Sequence, residues 1–168
     1  VGSFGVKEFA DKLSDCTLCP IGYYSYVVGG TSCQKCLKGK FSNIVGRTDF
    51  IKCNFCSSGK FNDVVASSEC KWCDSGKVNT ETGRESAQNC ISCAAGRYEY
   101  ADQSETKRRR SCHGCPSGRY NPLTSGGNII SCKNCTLGTY QNEVSQGGCK
   151  GCPIGYFNDQ IGQVTMID

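Results

Sequence analysis

Aliphatic residues are scarce. Leu, Ile, Val and Phe together number 31 of 168 residues, too few for a chain of this length to bury a conventional apolar core, and in an ordinary composition a sign of disorder. No apolar stretch approaches the ~18 residues a membrane-spanning helix requires, and no signal-peptide pattern stands at Val1. Histidine is nearly absent, with His113 alone. A spread of basic charge is also missing: the net charge is +4, with 19 Lys and Arg against 15 Asp and Glu, and the single run Lys107-Arg108-Arg109-Arg110 accounts for all of it. The expectation is therefore a segment with no membrane span, no distributed basic face and no nucleic-acid partner, processed or excised from something longer.

What the chain has instead is 16 cysteines. Nearly one residue in ten is the density of secreted scaffolds in which covalent crosslinks replace an apolar core. An extracellular or cell-surface, secreted location follows as the expectation. The cysteines form eight Cys-x-x-Cys pairs, at 16/19, 33/36, 53/56, 70/73, 90/93, 112/115, 132/135 and 149/152, with none left over.

Three residues after each pair stands a glycine: Gly22, Gly39, Gly59, Gly76, Gly96, Gly118, Gly138 and Gly155. Two residues further come Tyr24, Phe41, Phe61, Val78, Tyr98, Tyr120, Tyr140 and Phe157, aromatic in seven cases and β-branched in one. Each pair, with the residues up to the next, is one link of a tandem array. The steps between pairs are 14, 17, 14, 17, 19, 17 and 14 residues. Their alternation points to a repeat two pairs long, giving a partial repeat at 1–15 and repeats at 16–52, 53–89, 90–131 and 132–168. Gly2-Ser3-Phe4 fits the same signature and implies a cysteine two residues before Val1. A further step of 17 from Cys152 puts the next cysteine just beyond Asp168. The expectation is an interior piece of a longer array.

A glycine so close to a crosslink marks a turn with φ > 0 or a close backbone approach. Gly-x-aromatic triplets such as Gly39-Lys40-Phe41 predict short strands whose ring covers the sulfurs of its own link, and Gly-rich stretches such as Ser125-Gly126-Gly127-Asn128 predict reversals. The fold class expected is a small disulfide-rich array, mostly β hairpins and loops, with little or no helix. One weak helical face runs from Val6 to Ser14, through Val6, Phe9, Ala10 and Leu13. Closing a loop of about 15 residues stabilises by roughly 3 kcal/mol in the chain-entropy model, so several closures offset the missing apolar burial. Links that touch only their neighbours predict an elongated rod.

Two disulfide frameworks are open. A ladder joins the second cysteine of each pair to the first of the next: Cys19 to Cys33, Cys36 to Cys53, Cys56 to Cys70, Cys73 to Cys90, Cys93 to Cys112, Cys115 to Cys132 and Cys135 to Cys149. Cys16 and Cys152 would then pair outside this piece. A nested scheme closes each two-pair repeat on itself, Cys16 with Cys33 and Cys19 with Cys36, and suits the alternating steps. Restart of the signature after every pair favours the ladder. The sequences "CHGCPSGRY" and "CKGCPIGYF" resemble the cysteine-rich modules of ephrin-receptor ectodomains and related tumour-necrosis-factor-receptor-like repeats. That resemblance implies an extracellular disulfide-bonded module. Pro follows the pair at Pro20, Pro116 and Pro153 but not at Leu37, Ser57, Asp74, Ala94 or Thr136, a departure from the pattern.

The same residues bear on sharper chemistries. Tandem Cys-x-x-Cys also fits zinc, but zinc knuckles put Gly directly after the second cysteine. A thioredoxin-like role needs the pair opening a helix in a βαβ setting, which is lacking. His113 has no Ser, Cys or acid placed as a catalytic partner, so no enzyme and no cofactor are expected. Lys107, Arg108, Arg109 and Arg110 lie in the longest loop, read as a solvated tip or as a contact for acidic glycans or a neighbouring chain. Asn134-Cys135-Thr136 is an N-glycosylation sequon, placing a candidate sugar on Asn134. The function these features favour is structural: a spacer or filament-forming segment of a larger surface or fibre protein, partnered by copies of itself or other subunits. The alternative is a protein-ligand-binding receptor ectodomain.

Overall fold

A computed structural model describes residues 3–5, 16–48, 53–101 and 110–165. The helical candidate at Val6 to Ser14 lies outside them. Among the described residues there is no α-helix, only two-stranded antiparallel hairpins and two short 3-10 turns. Seven disulfides join 19–33, 36–53, 56–70, 73–90, 93–112, 115–132 and 135–149. The framework is the ladder, and the thiols of Cys16 and Cys152 carry no disulfide.

The chain divides into two compact units. One comprises Val1–Trp72 with Glu81–Asn89, the other Cys73–Thr80 with Cys90–Asp168. The same local build recurs in each. After every pair the chain makes a turn closed by an i to i+3 hydrogen bond, as from Tyr23 N–H to Pro20 O at 3.1 Å and from Arg119 N–H to Pro116 O at 3.1 Å. The signature glycine is the third residue of that turn, with φ between +72° and +91° in all eight links. This is the geometry of a type II turn, which an L side chain resists.

The chain then enters a strand pair of fixed register. In the first unit Lys40 faces Phe55 and Phe41 faces Asn54, while Lys60 faces Trp72 and Phe61 faces Lys71. In the second unit Arg119 faces Asn134 and Tyr120 faces Lys133. Each hairpin is locked where the second cysteine of the next pair donates its N–H to the signature glycine carbonyl, as Cys56 to Gly39 at 2.9 Å and Cys135 to Gly118 at 2.9 Å.

The core is sulfur. The second cysteine of the pair is fully buried at Cys19, Cys36, Cys56, Cys93, Cys115 and Cys135. The expected role of the aromatic needs correction: only Phe61 and Val78 at that position are buried, Phe157 is exposed, and the rest are half-buried. What is buried beside the sulfurs is the polar residue directly after the ring: Ser25, Ser42, Asn62, Asn79, Glu99, Asn121, Gln141 and Asn158.

The alternation of step length also has a local cause. In the links closed by Cys73–Cys90 and Cys115–Cys132 the three extra residues come just before the next pair, where Ala87–Asn89 and Ile129–Ser131 form 3-10 turns; the corresponding residues before Cys53 lie outside the described residues. Asn128 caps the second of these by accepting from Ile130 N–H at 2.9 Å, the usual task of an Asn at a helix start.

Candidate functional site: the junction between links

Three kinds of backbone hydrogen bond join successive links and recur at corresponding positions. The signature glycine donates to the carbonyl of the next link's buried polar residue: Gly22 to Ser42 at 2.7 Å and Gly39 to Asn62 at 2.8 Å in the first unit, Gly96 to Asn121 at 2.8 Å and Gly118 to Gln141 at 2.7 Å in the second. The polar residue's own N–H reaches the next link six residues past its aromatic, as Asn62 to Arg84 at 2.9 Å and Asn121 to Gln146 at 3.1 Å. The residue before that acceptor turns back to the second cysteine of the preceding pair, as Ala66 to Cys36 at 2.8 Å and Ser145 to Cys115 at 2.8 Å. At a net ~1 kcal/mol for each bond, a junction contributes on the order of 3 kcal/mol.

That last donor is a second left-handed position, which the sequence analysis missed. Gly29, Gly46, Ala66, Gly83, Ser125, Ser145 and Gly162 occupy it with φ between +58° and +73°, and Ala66, Ser125 and Ser145 are the non-glycine residues of positive φ among those described. Its carbonyl lies against the signature glycine two links earlier. A Cβ on Gly22 would overlap the carbonyl of Ala66, one on Gly76 that of Ser125, and one on Gly96 that of Ser145. Gly22, Gly39, Gly76, Gly96 and Gly118 are thus needed twice, for the turn and for the backbone that crosses it, whereas Gly138 and Gly155 serve the turn alone.

Size matching follows at the same spot. The residue before the second cysteine packs under the next link's left-handed residue. Where it is large, as Leu18 or Phe55, the position above it is Gly46 or Gly83; where it is Gly114, the position above is Ser145.

Buried side-chain amides add a fourth tie. Asn62 Nδ2 donates to Lys40 O at 2.6 Å, Asn121 Nδ2 to Arg97 O at 2.9 Å and Asn158 Nδ2 to Thr139 O at 2.7 Å, each one link back. Their Oδ1 atoms accept from the backbone two residues on, at Val64, Leu123 and Gln160. Both ends of the carboxamide are satisfied, so burial carries little penalty. Any reading of the sequence that compared position against position would have found eight polar residues in eight.

The 19-residue link solves its junction differently. Its hairpin lengthens to Arg97–Ala101 against Arg110–Gly114. Glu99 takes the buried polar position, accepting from Gly76 N–H at 2.7 Å and pairing with Arg110 at 2.8 Å. Arg110 also donates to Cys73 O at 3.3 Å. So the structure puts Arg110 on a buried carboxylate within its own unit, while Lys107, Arg108 and Arg109 lie outside the described residues.

His113 is exposed and stacks on Tyr100, ring centroids 4.4 Å apart. Asn134 is exposed on its strand, beside buried Cys135. Fourteen cysteines are oxidised, so none of those sulfurs is available as a thiolate for metal. Asp63 has its carboxyl held below the ordinary value chiefly by the hydrogen bond from Lys71 Nζ at 2.7 Å.

Charge counted along the chain hides a recurrence of basic residues at one position of the repeat. The middle residue of the Gly-x-aromatic triplet is Lys40, Lys60, Lys77, Arg97 and Arg119 in five successive links. In the first unit Lys40 Nζ sits 4.5 Å from the Phe55 ring centroid and Lys60 Nζ 4.2 Å from that of Trp72. A cleft of about 190 Å³ opens beside them, lined by Phe41, Asn54, Phe55, Ser57, Lys60 and Glu69 together with Cys70.

Disulfide-closed hairpins joined by a repeating junction define a cysteine-rich tandem module. A profile of the family described as tyrosine-protein kinase ephrin type A/B receptor-like matches residues 7–53 and 123–165. The chain belongs to that family, a non-catalytic extracellular repeat module. No curated protein matches it. Among the described residues no helix is long and apolar enough to cross a membrane.

Proposed function

We propose that the chain is a structural segment of a larger surface or fibre protein, a spacer or filament-forming subunit built by repetition. The observation that carries the reading is the junction itself. Backbone donors and acceptors, the buried amide and the signature glycine of a link are all used to hold its neighbours, which is what an array selected for continuity needs and a solitary binding module does not.

On this reading Cys16 and Cys152 form the next rungs with cysteines of adjoining links, and the partners are further links, copies of the protein or other subunits. Asn134 carries a sugar when the protein passes through a secretory route, its side chain being exposed. Electron microscopy of the native parent protein tests the function. Regular fibres with a constant axial repeat support it; discrete particles that saturate with a soluble protein ligand overturn it in favour of a receptor ectodomain. Mass mapping of the unreduced parent should find Cys16 and Cys152 in disulfides, and free thiols there would remove the continuous ladder.

A further inference from the structure

Two successive hairpins of the first unit present the same pairing on the same strand positions: a lysine in the Gly-x-aromatic triplet, and opposite it a large ring immediately before the second cysteine. Lys40 is paired with Phe55, and Lys60 with Trp72. Phe55 is 58% exposed and Trp72 38%. Junction packing accounts for part of Phe55, which lies beneath Gly83, but neither ring belongs to the buried interior, which is made by cystine and by the polar residue after the aromatic.

The surroundings are basic. Among the described residues of 34–72 stand Lys35, Lys38, Lys40, Arg47, Lys60 and Lys71 against Asp63 and Glu69, and Asp63 is taken up by Lys71. The cleft joins the two hairpins: Phe41 and Phe55 give it an apolar floor, Lys60 a cation, and Asn54, Ser57 and Glu69 polar rims. Its volume of about 190 Å³ is below that of sites enclosing a drug-sized ligand, about 300 Å³ and upward. One pyranose ring, lying flat and continuing out of both ends, suits it.

We propose that this face binds an acidic polysaccharide. A sugar ring lays its C–H face on Phe55, its hydroxyls meet Asn54, Ser57 and Glu69, and its carboxylate or sulfate groups draw Lys40 and Lys60. The ammonium groups of Lys40 and Lys60 rest over aromatic rings, a weak attraction near the surface. Recurrence of the lysine and ring one link further on lets an extended chain meet the same pair twice, and affinity rises by local concentration rather than by one deep pocket. Rings flanked by cations distinguish this face from a plain cluster of charge.

Trp72 is the only tryptophan in the chain and its ring lies under the ammonium of Lys60, a residue that lines the cleft, so its emission reports a change at Lys60. The intact, oxidised chain is titrated with a heparin oligosaccharide, a polygalacturonate oligomer and a neutral dextran. A saturable change with either acidic polymer, weakened by salt and absent with dextran, is expected; the two acidic arms separate sulfate from carboxylate preference. Replacing Lys40 and Lys60 together by Ser should weaken binding about tenfold or more, whereas Lys35→Ser with Lys38→Ser, the same loss of charge, should cost under about threefold. Phe55→Leu keeps the packing beneath Gly83 and should also cost about tenfold, the usual order for lost stacking.

Equal losses from both lysine pairs, or no loss from Phe55→Leu, reduce the face to nonspecific charge and overturn the proposal. So does an oligonucleotide that binds as tightly and with the same dependence on Phe55. Disulfide mapping of every variant verifies the fold, and Lys→Ala at the same two positions provides a second route if Ser disturbs it.

Discussion

The carboxamide of Asn62 donates to the carbonyl of Lys40 at 2.6 Å, reaching from one link into the one before. Asn62→Ala leaves a buried carbonyl without its donor, and a loss of about 1–3 kcal/mol is expected. Asn142→Ala, at an exposed site, should stay within about 0.5 kcal/mol. Urea denaturation of the oxidised chain checks the pair, and equal effects would remove the buried tie as a stabilising contact.

Gly76 and Gly138 separate the two demands on the signature glycine. Both have positive φ, but a Cβ on Gly76 meets the Ser125 backbone while one on Gly138 meets nothing within 4 Å. Gly138→Ala should cost about 1–2 kcal/mol for the left-handed conformation alone. Gly76→Ala must also push a backbone segment aside, and a cost above about 3 kcal/mol is expected. Hydrogen exchange should place the Gly76→Ala loss at Ser125 N–H, which bonds Cys93 O.

Among the described residues, Glu99 and Arg110 form the junction that depends on an ion pair with a nearly buried carboxylate, 6% exposed. Arg110→Ala strands that charge and should cost about 3–5 kcal/mol, whereas Glu99→Leu with Arg110→Met should cost much less because both charges leave together. A double-mutant cycle measures this, and additive losses would mean the pair acts as two independent groups.

The carboxyl of Asp63 should titrate below the ordinary aspartate value, and Lys71→Met should return it, because the Lys71 hydrogen bond is the leading cause. With its folded value depressed, the group's stabilising contribution is present above the unfolded value and lost as pH falls through the folded one. The pair is exposed, so the effect should be small and fade with salt. NMR titration of the side-chain carbon decides it.

Position-by-position repetition made much of the fold legible. Cysteine and glycine stand out because each is demanded by covalent or conformational geometry that no other residue supplies. Asn62 and its equivalents were overlooked because a polar residue next to a ring in a strand ordinarily faces water; here the neighbouring link covers it. The second left-handed position escaped notice since Gly, Ala and Ser all occupy it, its occupant adjusted to the size of Leu18, Phe55 or Gly114 beneath. Ladder and nested pairing stayed open because the step lengths alternate, and in the links closed by Cys73–Cys90 and Cys115–Cys132 the extra length is a single 3-10 turn. The lysine and arginine row was hidden by adding charge along the chain instead of down one position of the repeat.

The 3-10 turn at Ile129–Ser131 lies against Arg97–Ala101 of the preceding link. Extra length there is used by the array and not hidden from it. A foreign peptide spliced between Asn128 and Cys132 should therefore loosen the preceding hairpin as well as its own link, so a designer who wants a guest sequence displayed at regular intervals must spare this turn.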